Sequence, residues 1–170
     1  GISGASLSFI RSMATADIAV STPDQMSQLS STQIAAMSTA QIAALNTASV
    51  ASLSASALSS SSVNQIFALV TAQIAALNPD TQIASLNNSQ VAALSTAQIL
   101  ALSTDQVVSL TSSQVSKMTS AQIASMTTAQ ISAMETRDFI TLGSAQVAAL
   151  KTSQIAALTI DQISNIRSEE

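Results

Sequence analysis

Two apolar positions return every eight residues along this chain, three residues apart within each unit. In Ser38-Thr39-Ala40-Gln41-Ile42-Ala43-Ala44-Leu45 they are Ile42 and Leu45, preceded by Ser, Thr and Gln. Gln recurs at positions 25, 33, 41, 65, 73, 82, 90, 98, 106, 114, 122, 130, 146, 154 and 162, at intervals of eight or its multiples with one slip. That slip is one extra residue in 78–82, where the chain reads Asn78-Pro79-Asp80-Thr81-Gln82. With Asp17, Ser49, Ala57 and Asp138 standing at the unfilled Gln positions, 19 octads run from about residue 14 to 169. The residue after the Gln position is Ile, Val, Met, Leu or Phe in all 19; the residue four after it is Leu, Met or Ile in 17, with Ser21 and Ser61 the exceptions.

One continuous helix does not fit this pattern. At about 100° per residue, eight residues carry an apolar stripe about 80° further round the axis with every repeat, so the stripe circles the helix. The period is also wrong for a coiled coil, which needs about 3.5 or 3.67 residues. A strand fails because Ile42 and Leu45, three apart, point to opposite faces. A short helix restarting every eight residues does fit. Ser38 and Gln41 form a capping box, in which the hydroxyl accepts a first-turn N–H and the Gln side chain reaches back to the cap amide. Met37 and Ile42 flank it as a hydrophobic staple. The cap position is Ser, Thr or Asn in 14 of 19 octads, and Pro23 and Pro79 each follow a cap residue, at the first helical position where a missing N–H is harmless.

Helices of six or seven residues are unstable alone in water. Stacked units that share one core overcome this, which is the principle of a solenoid. The pattern therefore predicts an all-α solenoid of short capped helices, one per eight-residue repeat. Its body is read as residues 17–166, degenerate over 49–64, between an irregular segment or cap at 1–16 and a polar end at 167–170. The Gln residues, represented by Gln33, Gln41, Gln73, Gln90, Gln98, Gln106, Gln122, Gln130, Gln146 and Gln154, are expected to cap helices and to form ladders holding adjacent coils together. The core is expected to hold Ile34, Ile42, Leu45, Ile74, Leu77, Leu94, Ile99, Leu102, Ile123, Ile131, Leu150 and Ile155. The number of octads per superhelical turn is not encoded in the pattern.

Composition then removes most chemistry. The 170 residues include no Cys, His, Trp or Tyr, and 8% are charged, with a formal net charge of −4. Ordinary globular proteins carry roughly 25% charged residues. Without His or Cys there is no zinc, haem or iron–sulfur ligation, no thiol nucleophile and no imidazole base. Five scattered cations, Arg11, Lys117, Arg137, Lys151 and Arg167, make no basic patch for nucleic acid. No apolar run approaches the roughly 18 residues of a membrane-spanning helix. No basic region followed by an apolar one opens the chain, so no secretory leader is read there, and Gly1 is expected of a processed chain or a fragment. No cofactor and no catalysis are expected.

Runs such as Leu94-Ser95-Thr96-Ala97-Gln98-Ile99 and Met126-Thr127-Thr128-Ala129-Gln130-Ile131 resemble the Ala/Gln/Thr octapeptide arrays of very large bacterial secreted, adhesin-like surface proteins. The resemblance covers about nine-tenths of the chain. It implies an extracellular or cell-surface array that extends or assembles, with itself as partner. The chain lacks the Gly/Asp-rich calcium nonapeptides that often accompany such secretion.

Departures from the repeat have local readings. Glu135-Thr136-Arg137-Asp138-Phe139, the densest charged stretch, is expected to be an ion pair on a solvated face, with Asp138 as a capping acid. Phe67 and Phe139 are expected to fill the core. Asn87-Asn88-Ser89 matches a glycosylation sequon, but Asn is also a good cap. Rows of Thr39, Thr47, Thr71, Thr96, Thr104 and Thr128 suggest an alternative role. Hydroxyl ladders could bind ice or another ordered surface, or an apolar lumen could hold lipid.

Overall fold

The computed structural model describes residues 2–168, with side chains described to residue 165. Among these residues all regular structure is helical, and no residue other than glycine has a positive φ. Many units have the expected six residues, as in Thr39–Ala44, and others have five, as in Ser31–Ala35. The six-residue helices are closed by two extended residues. Leu45 has φ −58° and ψ 135°, and Asn46, the next cap, has φ −71° and ψ 159°. These two residues turn the corner, so the array needs no glycine at its bends.

Every helix packs against the one three octads further along, which sorts them into three rows. The first row is Leu7–Ser12, Ser31–Ala35, Ala55–Ser59, Pro79–Ile83, Thr104–Ser109, Thr128–Ala133 and Thr152–Ala156. The second is Thr15–Ala19, Thr39–Ala44, Val63–Phe67, Asn88–Ala93, Ser112–Lys117, Thr136–Phe139 and Ile160–Ser168. The third is Pro23–Ser27, Thr47–Ser52, Thr71–Ala76, Thr96–Ala101, Ser120–Ser125 and Ser144–Ala148. The molecule is thus a three-sided solenoid with three octads per coil. Its first helix, Leu7–Ser12, lies within the segment read as irregular. Ser6 caps it at 3.1 Å and Ile10 is buried, so the array begins upstream of residue 17. At the other end, residues 167 and 168 continue the last helix, while 169–170 lie outside the described residues.

The two apolar positions of each octad point inward and merge into one core. Of the residues assigned there from sequence, Ile34, Ile42, Leu45, Ile74, Leu77, Leu94, Ile99, Leu102, Ile123, Ile131 and Leu150 are buried. Ile155 is a correction: it is 51% exposed, and its counterparts Val147 and Ile163 are each 38% exposed. The equivalent residues of earlier octads project under the following coil. Among the described residues no coil is stacked over these three. Phe139 fills the core as expected, but Phe67 occupies an outward position and is 59% exposed. The centre is packed rather than open. A void lined by Leu53, Leu58, Ser61 and Ile66, at the degenerate octads, offers only about 10 Å³, too little for a lipid chain.

The one-residue insertion is absorbed on the spot. Pro79–Ile83 winds as a single π turn, and Gln82 Oε1 accepts the Asn78 N–H four residues back rather than three.

Candidate functional site: the glutamine rungs

The buried polar side chains are concentrated at the fourth position of the octad. A carboxamide offers one acceptor and two donor hydrogens, and this position uses all of them. At Gln98, Oε1 accepts the Ser95 N–H at 2.9 Å, and Ser95 Oγ accepts the Gln98 N–H at 3.1 Å, which completes the capping box. The Nε2 group donates to the carbonyls of Ile66 and Leu69 at 2.9 and 2.8 Å, with Phe67 O at 3.1 Å. Those carbonyls lie at the C-terminal end of the helix four octads earlier, where a helix leaves acceptors without partners. One buried Gln therefore closes the start of its own helix and the end of another in the coil beneath.

The same rung repeats through the molecule. Gln41 donates to Ile10 O and Met13 O, both at 2.9 Å. Gln73 reaches Ile42 O and Leu45 O, and Gln90 reaches Leu58 O and Ser61 O. Gln106 takes Ile74 O and Leu77 O, and Gln122 takes Val91 O and Leu94 O. Gln130 takes Ile99 O and Leu102 O, Gln146 takes Val115 O and Met118 O, and Gln154 takes Ile123 O and Met126 O. Gln33 takes Ser3 O and Ala5 O at 3.0 Å. The ladder runs from side chain to backbone across coils, with no Gln-to-Gln pairing in it. Gln65, Gln82, Gln114 and Gln162, which were not singled out from sequence, make equivalent rungs.

The cap and the rung are separable. Where the cap is Val70, Gly143 or Lys151 there is no side-chain acceptor, yet Gln73, Gln146 and Gln154 still take the cap N–H at 2.7, 2.7 and 2.8 Å. Asn caps add an amide donor that reaches the coil beneath. Asn46 Nδ2 reaches Ser21 O at 2.8 Å, which supports the coil where Ser49 replaces Gln. Asn87 Oδ1 accepts the Gln90 N–H and its Nδ2 donates to Ser59 O, so the sequon Asn is a working cap.

The acidic cluster differs from its expected form. Arg137 Nε pairs with Glu135 Oε2 at 2.6 Å, and Glu135 is partly exposed. Asp138, however, is fully buried rather than on a solvated face. Its Oδ1 accepts the Ser112 hydroxyl at 2.5 Å, and its Oδ2 has no hydrogen-bond partner. Burial pushes its carboxyl above the ordinary value, against the opposing pull of the Ser112 hydrogen bond and Arg137.

No group of three or more potential metal-ligating side chains occurs among the described residues, and no helix there is long and apolar enough to cross a membrane. The family model described as "ALTTAQ repeat" matches residues 22–55, 83–120 and 131–167, together more than half of the chain. No curated protein and no solved structure matches it.

Proposed function

We propose that this chain, which belongs to the ALTTAQ repeat family, is a non-catalytic building segment of a bacterial cell-surface or extracellular filament, stalk or adhesin. The observation that carries this reading is the rung. The buried Gln side chains tie coil to coil, and the same tie recurs from Gln33 to Gln162 wherever Gln holds the position. Such a structure transmits position along an axis and is lengthened by adding units. Extraction to the cell surface also fits a chain without Cys or His, because it depends on neither redox state nor a bound metal.

The reading is tested on the native producer. Antibody raised against residues 88–134 should label intact cells, and mild external protease should remove the label. Signal only after lysis would sink it.

A second reading has one specific observation behind it. Thr47, Thr71 and Thr96 are exposed and fall in successive helices of the third row. From Thr47 to Ala148 the helices of that row contain no charged residue. An uncharged, hydroxyl-bearing side suits ice or another ordered surface. Thermal hysteresis of the purified chain would support it, and its absence would remove it.

A further inference from the structure

We propose that Asp138 carries a proton in the folded array, supplying in place of a glutamine amide the donor that its rung requires, so that this rung is a proton-dependent link. The geometry behind this is the register of the ladder. On both sides of this octad the rungs reach back 31 and 28 residues, as Gln130 does to Ile99 and Leu102 and Gln146 to Val115 and Met118. At position 138 the same register selects the carbonyls of Val107 and Leu110. A carboxylate has no hydrogen to give them, and a buried acceptor facing acceptors is costly. A carboxylic acid has one. Oδ1 is already occupied as an acceptor by the Ser112 hydroxyl, which leaves Oδ2, buried and without a partner, to hold the proton.

The pull of Arg137 toward the ionised form does not overcome burial, and Glu135 opposes it. Within its own helix, Arg137 lies 3.7 Å from Oδ1 but 2.6 Å from Glu135 Oε2, and its side chain is 69% exposed. Lys117 on the helix below, Asp161 on the helix above and Asp105 on the helix that carries the acceptor carbonyls are all exposed; Arg167 lies outside the described side chains. The helix is also short: Thr136–Phe139 has four residues, and its Glu135 cap makes no side-chain hydrogen bond. Burial raises the carboxyl above its ordinary 3.8. An acid raised in the folded state contributes fully below the unfolded value, and that contribution is lost as pH rises through the folded value. The link therefore weakens as pH rises above the ordinary carboxylate value, and is lost once Oδ2 releases its proton to solvent at the raised folded value.

The test compares the full chain with Asp138→Gln, which restores the ordinary rung, and Asp138→Asn, which gives a permanent donor of the same size. Melting midpoints are measured between pH 3.5 and 8. The midpoint of Asp138→Gln should exceed that of the parent by about 2–4 °C at pH 8, and the gap should close towards pH 3.5. Infrared difference spectra of folded parent against Asp138→Asn should show a protonated-carboxyl band that persists to higher pH than an ordinary aspartate allows. A gap that stays constant across the range overturns the proposal. So does the absence of that band, or a gap at pH 8 abolished by added sodium, potassium or calcium chloride at constant ionic strength, which would assign the site to a cation.

Discussion

At the scale of the residue, the energetics of this molecule turn on a buried amide that satisfies three groups at once. Gln98→Ala leaves the Ser95 N–H and the Leu69 carbonyl without partners, since Ile66 O keeps its bond from the Leu69 N–H. Two orphans, one buried and one part-buried, at about 1–3 kcal/mol each give an expected loss of about 2–6 kcal/mol in urea denaturation. Ser95→Ala removes only the cap oxygen and should cost about 1 kcal/mol, because the Gln still holds the cap N–H, as it does at Val70. If Gln98→Ala costs no more than Ser95→Ala, the cross-coil bonds carry no net stability. Gln98→Glu keeps the acceptor and loses the donor, so it should be destabilising at neutral pH and recover as the solution is acidified. The capping half of this role is legible in the sequence, because Ser and Gln three apart form a known local motif. The cross-coil half is not, since it depends on which carbonyls a coil places beneath each Gln.

At the scale of the element, local rules predict helix type, start and cap well, and tertiary context decides the remainder. The apolar positions 42 and 45 fix which side of a helix faces inward. They do not tell which coil is last, so Ile155 reads the same as Ile123 although one is half exposed and the other buried. Nor do they show that the corner takes two extended residues, which holds the regular helix to six, the lower end of the expected length. The octads over 49–64 carry the clearest local defect. Ala57 stands where a Gln would reach back to Met26 O and Leu29 O, and Ser61 lines the small apolar void. Ala57→Gln with Ser61→Leu restores both, and should raise stability by about 1–2 kcal/mol. A lower midpoint for the double variant would mean that the neighbouring side chains have closed over the site.

At the scale of the molecule, three rows of helices share one core, and each coil touches only its neighbours. Stability in such an array is close to a sum of unit and interface contributions. Deleting one whole octad, residues 103–110, turns the remainder by one side of the prism but gives every later Gln an equivalent set of carbonyls. That variant should keep the helical circular dichroism signal and melt slightly earlier. Deleting four residues, 103–106, removes a cap and a rung and throws the join out of phase, and should melt markedly earlier. Equal effects from the two deletions would contradict the octad as the structural unit. That three octads make a coil is not readable from one octad, because every unit carries the same marks whichever row it joins.

The π turn at Pro79–Ile83 bears on how such a molecule can grow. After the extra residue the rungs of Gln82, Gln90, Gln98 and Gln106 each span one residue more than usual, reaching back 32 and 29. By Gln114 both partners lie beyond the insertion and the ordinary spans of 31 and 28 return. In the terms of a crystal, this is a dislocation confined to a single cell. A one-codon slip during duplication of the gene costs one distorted turn, and the lattice above it heals.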